Sequence, residues 1–415
     1  VTSRYAALNR AELAVLVPEL LLCGHLIDRS GMAHVIAALG REGMTEVAID
    51  EWRLASPVYT RRMRKALGVT GDGVDAIFKG FQLDIGAPPQ FMDFRYRVHD
   101  HDHGEFHLDH CGALADVEPM GEEFVVAMCH HIEDPTFDAS ALATNPHAQV
   151  RPVHRPPRVP ADRKPVCAWT VVIDPAHEPP EPIADAHLVA GSQAAGTVLE
   201  PIVPEGEGLH DYSGPLLNDL RFEDFSRPAL IRMADEVCLQ HHLLGLGFRC
   251  AVEARTDAVL DIVRKQFTGI AGLTSERLCK ALGLGDDAAA LAKVLRLHPV
   301  LNPAAYLDIE VATETTGGEQ IVELRIGRAC GGADDDAWPM LLDADHLEPL
   351  DALVRGVNPR FRSRLRKAED CALTFEIGLA DHAFPEAVEV TITRFSTGAA
   401  FTFTDRGIPL PLTVR

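Results

Sequence analysis

The 415 residues predict an α+β chain made of two diverged copies of one unit, helices first and an antiparallel sheet after. Three observations predict it. Short words recur in the same order along the two halves. Within each half, apolar residues at helical spacing give way to alternating apolar and polar residues. A stretch rich in Pro, Glu and Gly separates the halves.

The recurring words can be followed in order. Pro18-Glu19 with His25 returns as Asp235-Glu236 with His242, 217 positions on, and Lys65-Ala66-Leu67-Gly68 returns as Lys280-Ala281-Leu282-Gly283, 215 positions on. Gly104-Glu105 matches Gly318-Glu319, and Cys111 matches Cys330. His131-Ile132-Glu133 returns as His346-Leu347-Glu348, Asp138-Ala139 as Asp351-Ala352, and Asn145-Pro146 as Asn358-Pro359. Cys167-Ala168-Trp169-Thr170 answers Cys371-Ala372-Leu373-Thr374. An ordered series of this kind signals a structural repeat. The copies are set at residues 1–175 and 226–415, joined by a linker over 176–225.

Each copy opens on an apolar helix, over 9–27 and 227–254. Further helices are expected over 45–67 and 72–83, and over 256–283 and 286–296. Alternating runs at 91–99 with 104–111, and at 305–312 with 320–326, predict hairpins. A helix follows over 121–143 and 345–357. Closing strands are expected at 167–173 and 371–377, with further strands at 388–392 and 400–404. Pro175, Pro179, Pro180 and Pro182 cannot donate to a ladder, so the linker is expected to wrap between the copies. The stretch 152–165 is a second expected loop.

Apolar residues make up 47% and charged residues 24%, so an ordinary globular core is available. The net charge of −22, from 61 acids and 39 bases, argues against nucleic acid as a partner, which would require a basic footprint. The basic runs at 61–65 and 360–367 are expected to be solvated helix faces. No apolar run is long enough to span a bilayer, so no membrane partner is expected and the chain is assigned to the cytoplasm. Nine scattered cysteines do not form a disulfide framework and are expected to be mostly buried thiols. Two stacked copies could mimic a homodimer, and a true homodimer is a further expectation.

The chemistry concentrates in copy one. Residues 99–154 hold nine of the nineteen histidines, with Cys111, Cys129, Glu105, Asp109, Glu133 and Asp134 among them. Imidazole, thiolate and carboxylate are ligands of zinc and iron. On a strand over 104–111, Glu105, His107, Asp109 and Cys111 share one face and Phe106 and Leu108 the other. His131 lies seven residues after Phe124 and is expected to share its apolar stripe, while His130 follows Glu123 on the solvated side. The expected metal donors are His107, His110, Cys111, Cys129, His130 and His131, holding a divalent ion, zinc or iron. Glu105, Glu133 and Cys111 are the expected catalytic groups. The His99–His103 run reads as a hairpin tip, and His25 and His242 as satisfied core histidines. Copy two carries Arg325 and Arg328 where copy one has imidazoles, so the activity is expected in copy one. The spacing matches neither a zinc-protease, EF-hand nor nucleotide-binding motif.

The run from Phe106-His107-Leu108-Asp109-His110-Cys111 through Met128-Cys129-His130-His131-Ile132-Glu133-Asp134 to Cys167-Ala168-Trp169 resembles the cysteine layout of L-2-amino-thiazoline-4-carboxylic acid hydrolase-like proteins. It is similar too to vinyl-reductase-type ligand-binding domains. The resemblance covers about 80 residues and implies a small-molecule pocket between the sheet and the following helix. The function expected is a metal-assisted enzyme, such as a hydrolase, acting on a small organic substrate. The alternatives are a metal-dependent oxygenase, a non-catalytic binder with a pocket of Phe94, Phe106, Phe124 and Phe137, and a structural protein assembling through its sheets.

Overall fold

The structure is a computed structural model that describes residues 1–395 except 317–318, 329–334 and 336. The first helix, α1 (Arg10–Ala66), starts at Asn9, whose side chain accepts from the Glu12 amide while Glu12 reaches back to the Asn9 amide. This reciprocal cap satisfies two donors at the helix start. The run is interrupted at Gly40, with φ 73°, a left-handed conformation that suits glycine. The two helices expected over 9–27 and 45–67 are thus one long run with a break. After α2 (Val74–Gln82) come the hairpin β1 (Met92–Val98) and β2 (His103–Cys111), α3 (Gly112–Val117) and α4 (Glu122–Val126). A π-helical segment, Ala127–Ile132, leads into α5 (Glu133–Leu142), then β3 (Ala148–His154) and β4 (Cys167–Ile173).

The linker holds only the short α6 (Ala186–Ala190) and α7 (Gln193–Gly196) besides a 3-10 turn. Its backbone is held from both copies, Arg232 of copy two donating to the Glu200 carbonyl. Lys79 and Gln82 donate to the carbonyls of Gly214 and Leu217, and Arg62 donates to that of Ala195. Copy two repeats the order with α8 (Arg227–Glu253), α9 (Val259–Ala281), α10 (Ala288–Leu297), β5 (Ile309–Thr316) and β6 (Glu319–Gly327). It closes with α11 (Glu348–Arg355), β7 (Phe361–Glu369), β8 (Ala372–Leu379) and α12 (Val388–Phe395). No helix among the described residues is long and apolar enough to cross a membrane.

Two separate four-stranded antiparallel sheets run β1-β2-β4-β3 and β5-β6-β8-β7. The shared order makes the duplication a property of the fold. Register refines the equivalence. Each outer strand bulges at the same place, after Pro152 opposite Trp169 and after Leu365 opposite Phe375. Asp138 accepts from the Val150 amide, and Asp351 from the Ser363 amide. Trp169 therefore corresponds to Phe375, and Phe106 to Leu324. Three word matches, that of Glu105 with Glu319, of Glu133 with Glu348 and of Cys167 with Cys371, are displaced from this structural equivalence.

The copies meet along α1 and α8 about a pseudo-two-fold axis, as reciprocal contacts show. Glu19 of copy one pairs with Arg277 of copy two at 2.8 Å, and Glu236 of copy two pairs with Arg62 of copy one at 3.0 Å. Arg10 donates to the Phe225 carbonyl and Arg227 donates to the Leu8 carbonyl. This is the self-complementary pattern of a two-fold interface, inside one chain. The helices come so close that a Cβ on Gly247 would lie 2.7 Å from the Glu51 carbonyl oxygen.

Three expectations are corrected. The basic run at 360–367 belongs to β7, an edge strand and not a helix face. There Phe361 and Ser363 point inward while Arg362 and Arg364 alternate outward, and outward charge protects a sheet edge. The expected loop at 152–165 begins inside β3, another edge strand, where Pro152 costs no essential ladder bond. The expected strand at 388–392 is α12. The one expected at 400–404 lies outside the described residues. Cys371 is disulfide-bonded, whereas Cys23, Cys111, Cys129, Cys167, Cys238, Cys250 and Cys279 are free.

The inner face of the first sheet carries Phe94, Tyr96, Phe106 and Trp169, packed by α2 and α5. Phe106 lies 5.3 Å from Phe137 of α5 and 6.2 Å from Phe78 of α2, ring centre to ring centre. Burying such rings stabilises by about 1.5–3 kcal/mol each and anchors the sheet under the helices that carry the site.

Candidate functional site in copy one

A cavity of about 890 Å³ opens between α1, β1 and the segment from α3 to α5, and Thr391 and Ile392 of α12 close one side. Its wall is mostly apolar, with Trp52, Phe94, Phe124, Phe137 and the thioethers of Met32 and Met128. The size and lining suit a small organic ligand. The polar groups that interrupt this wall come largely from two places, the middle of α1 and the start of α5.

From α1 come His25, Asp28 and Arg29, all buried. Asp28 faces the fully buried Glu51, also on α1, and burial raises both carboxyl pKa values; Asp28 raises that of Glu51 further, while hydrogen bonds from Trp52 and Glu51 hold that of Asp28 back. The Arg29 Nε stands 3.7 Å from Asp28 and 3.9 Å from Asp116 of α3, and opposes part of that rise. His25 packs against Phe91 at 4.7 Å. Neither of its ring nitrogens is in hydrogen-bond geometry, although the Ile85 backbone lies near enough to favour the protonated ring weakly. Burial, then Arg29, hold the ring well below its usual pKa, so it is neutral. His25 is not the satisfied core histidine expected. Its counterpart His242 is, with Nε2 2.8 Å from the Asn302 carbonyl.

Asp84, behind α2, lines the cavity and is pushed up to about 6 by burial, against the pull of the Gly86 amide and the Tyr59 hydroxyl. Glu133, the first residue of α5, is pushed up to about 7 by burial, against the pull of Arg29. Glu133 also lines a second, smaller recess together with Cys111, Cys129, Cys167 and Trp169. Burial raises all three thiols, Cys111 to about 12, and the Glu133 charge raises each further. These thiols rest protonated.

The π-helical segment sets which side chains reach the cavity. Its i→i+5 bonding widens the turn, and such segments are frequent at functional sites. Phe124, Met128, Ile132, Thr136 and Ser140 follow one another into the cavity in steps of four. A seven-residue α-helical repeat from Phe124 would have brought in His131. The wide turn instead leaves His131 exposed, in a surface groove beside Arg41 and Glu42. His130 is half-buried, with Nε2 2.7 Å from the Pro156 carbonyl. The expected orientation of these two histidines is thus corrected.

The remaining expected residues divide. Cys111, Cys129 and Glu133 come together. Glu105 and His107 lie on the outer face of the sheet, where Glu105 pairs with Arg97 at 3.3 Å and His107 approaches Asp109 at 3.6 Å. Burial, then Lys164, lower the pKa of His110 at the end of β2. The His99–His103 run is an exposed turn, with Asp100 accepting from the amides of Asp102 and His103. Glu105, His107, Cys111 and His131 therefore do not fit a single metal site. Among the described residues, no group of three or more His, Cys, Asp or Glu side chains is placed to hold a metal ion.

No family model, curated protein or solved structure matches the chain.

Copy two offers an internal comparison. The place of Asp28 is taken by Gly245, against which the Trp338 indole packs so closely that a Cβ there would lie 2.8 Å from the ring. Trp338 stacks on Phe267 at 6.0 Å and approaches His242. Leu246 stands where Arg29 does. An indole thus occupies the position that carries a buried carboxyl in copy one. Sequence reasoning missed Asp28, Arg29 and Glu51. The available signal was an Asp-Arg pair inside an otherwise apolar helical run, since ionisable residues are rarely fully buried unless paired.

Proposed function

We propose that the chain is an enzyme of hydrolase type acting on a small organic molecule in the copy-one cavity, with Glu133 moving the proton and Cys111 supplying a nucleophilic sulfur. The observation that carries this reading is that Glu133 lines both the cavity and the thiol recess. A buried, protonated thiol needs a base at the moment of attack, and a carboxyl that titrates near neutral pH is suited to that exchange. As the sulfur bonds to an electrophilic carbon, its proton passes to the Glu133 carboxylate. The leaving group takes that proton when its bond to carbon breaks. Water then attacks the thioester-like adduct, giving a proton to Glu133, and the Cys111 sulfur recovers it on release. The cysteine layout behind the hydrolase-like resemblance comprises the thiols of this recess, which supports the same reading.

The test is the rate of iodoacetamide alkylation at Cys111 across pH, followed by peptide mass mapping. The wild-type rate is expected to climb through about pH 7, and Glu133→Gln to lower it at neutral pH by about 10²-fold, the scale of general-base assistance. Identical profiles, or a Cys111 that stays unlabelled in the folded protein, would remove sulfur from the reaction.

A metal-assisted route is the second reading; it rests on residue type alone, since the thiols and the carboxyl that line the recess are zinc and iron ligand types but are not placed as a ligand set. It expects about one equivalent of zinc or iron by elemental analysis, lost in Cys111→Ser/Cys129→Ser. A metal-free protein after expression with both metals supplied counts against it.

A further inference from the structure

The cavity wall has an imbalance of charge. Asp28, Asp84, Asp116 and Glu133 line it, with Glu51 directly behind Asp28, and among the described residues Arg29 is the only guanidinium or ammonium in the lining. Arg29 is already committed between Asp28 and Asp116. Asp84 is held by Tyr59 and the Gly86 amide. The Asp28–Glu51 pair, deep in the cavity, is bonded within itself and to Trp52, and burial holds both carboxyls toward their protonated forms until a cation is brought to them. Beside it stands His25, 4% exposed and in the cavity wall, with neither ring nitrogen in hydrogen-bond geometry. Ionising a buried carboxyl is costly without a cation, and a buried imidazole is normally bonded, so the acidic wall and His25 together point to a cationic polar group brought by a ligand. The wall facing them is made of Trp52, Phe94, Phe124 and thioethers, surfaces that favour an organic cation through the negative faces of the rings and polarizable sulfur.

We infer that the cavity binds an organic amine, its protonated nitrogen on the Asp28 carboxyl, backed by Glu51, beside His25, and its apolar, ring-sized body among Trp52, Phe94 and Phe124. This rests on the small-molecule enzyme reading and names its substrate class. The nitrogen end sits on α1, and the far end of the molecule reaches Glu133 and the thiol recess. Copy two lacks this seat, because Gly245 replaces Asp28 and Trp338 packs against it.

The test uses the full chain and three probes of one shape, 2-phenylethylamine, 2-phenylethanol and 3-phenylpropionate, titrated calorimetrically. The amine should bind at least about tenfold more tightly than the alcohol, and the carboxylate most weakly, on the scale of one charge-assisted hydrogen bond. Asp28→Asn should abolish the preference for the amine while holding the alcohol within about threefold. Should Asp28→Asn fail to fold, His25→Gln should weaken the amine about fivefold and spare the alcohol. If the carboxylate binds best, or the alcohol equals the amine, the amine assignment falls while the small-molecule reading stands. If none of the three binds, the amine assignment and the cavity as substrate site both fall, whereas the alkylation of Cys111 tests the chemistry separately.

Discussion

Glu236→Ala is expected to destabilise the fold by about 3–5 kcal/mol, the cost of breaking a buried ion pair from one side. The Glu236 side chain is 2% exposed and is held by Arg62 at 3.0 Å and by Arg232 at 2.8 Å. Truncation leaves two guanidinia, themselves largely buried, without their carboxylate. One of them comes from the other copy, so the loss falls on the contact between copies. Glu19→Ala removes the symmetry-related pair with Arg277, where Glu19 is 17% exposed and only one guanidinium is stranded. Its cost should be clearly smaller, about 1.5–3 kcal/mol. Denaturant unfolding of both variants checks the order. A loss under about 1 kcal/mol for Glu236→Ala would mean that the reciprocal pairs contribute little to holding the copies together.

Glu133→Gln is expected to stabilise the protein above neutral pH. Burial raises the Glu133 carboxyl from 4.5 to about 7, so the folded state holds a proton that the unfolded state has given up. Below about pH 4.5 both states are protonated and the residue is neutral in the balance. As pH rises toward 7 the wild type loses stability on its account, and above 7 the penalty is complete. With the side chain partly open to the cavity, the penalty is about 1–3 kcal/mol. Glutamine carries no such penalty. Thermal unfolding should therefore coincide for the two proteins near pH 4 and separate progressively to pH 8, with the variant melting higher. Coincident curves at every pH would show that the carboxyl is solvated as well in the fold as out of it. A group retained at a cost to stability marks a functional position.

What could be read from the sequence depended on how regular the local signal was. The three helices opening copy two and the hairpin 91–99 with 104–111 followed from clean periodicity, which tertiary packing then used without distortion. The edge strands were lost because Pro152 and the Arg362-Ser363-Arg364 stretch look like a loop and a basic helix face. Only pairing with β4 and β8 makes them strands, and pairing is non-local. His131 was misplaced because an ideal 3.6-residue turn was assumed across a π-helical segment. Cys111, Cys129 and Glu133 were identified by residue type and do share a recess. Asp28, Arg29 and Glu51 were missed because a charged pair in a long helix looks the same in a sequence whether it faces water or a cavity. The comparison with Gly245 and Leu246 becomes informative only once the register of the copies is known.

The reciprocal pairing of Glu19 with Arg277 and of Glu236 with Arg62 would be familiar between two identical subunits. In such an assembly every substitution is written twice, so an indole that fills one pocket fills both, and a buried acid is endured at both. Joining the units in tandem removes that constraint. One chain can carry Asp at position 28 and Gly at position 245, keep a costly ionisable pocket on one side, and set a well-packed Trp338 on the other. The tether also makes the association independent of protein concentration, so dilution does not separate the halves. Each half is thereby free to vary alone, and the instability of one pocket can be offset by the solid packing of its twin.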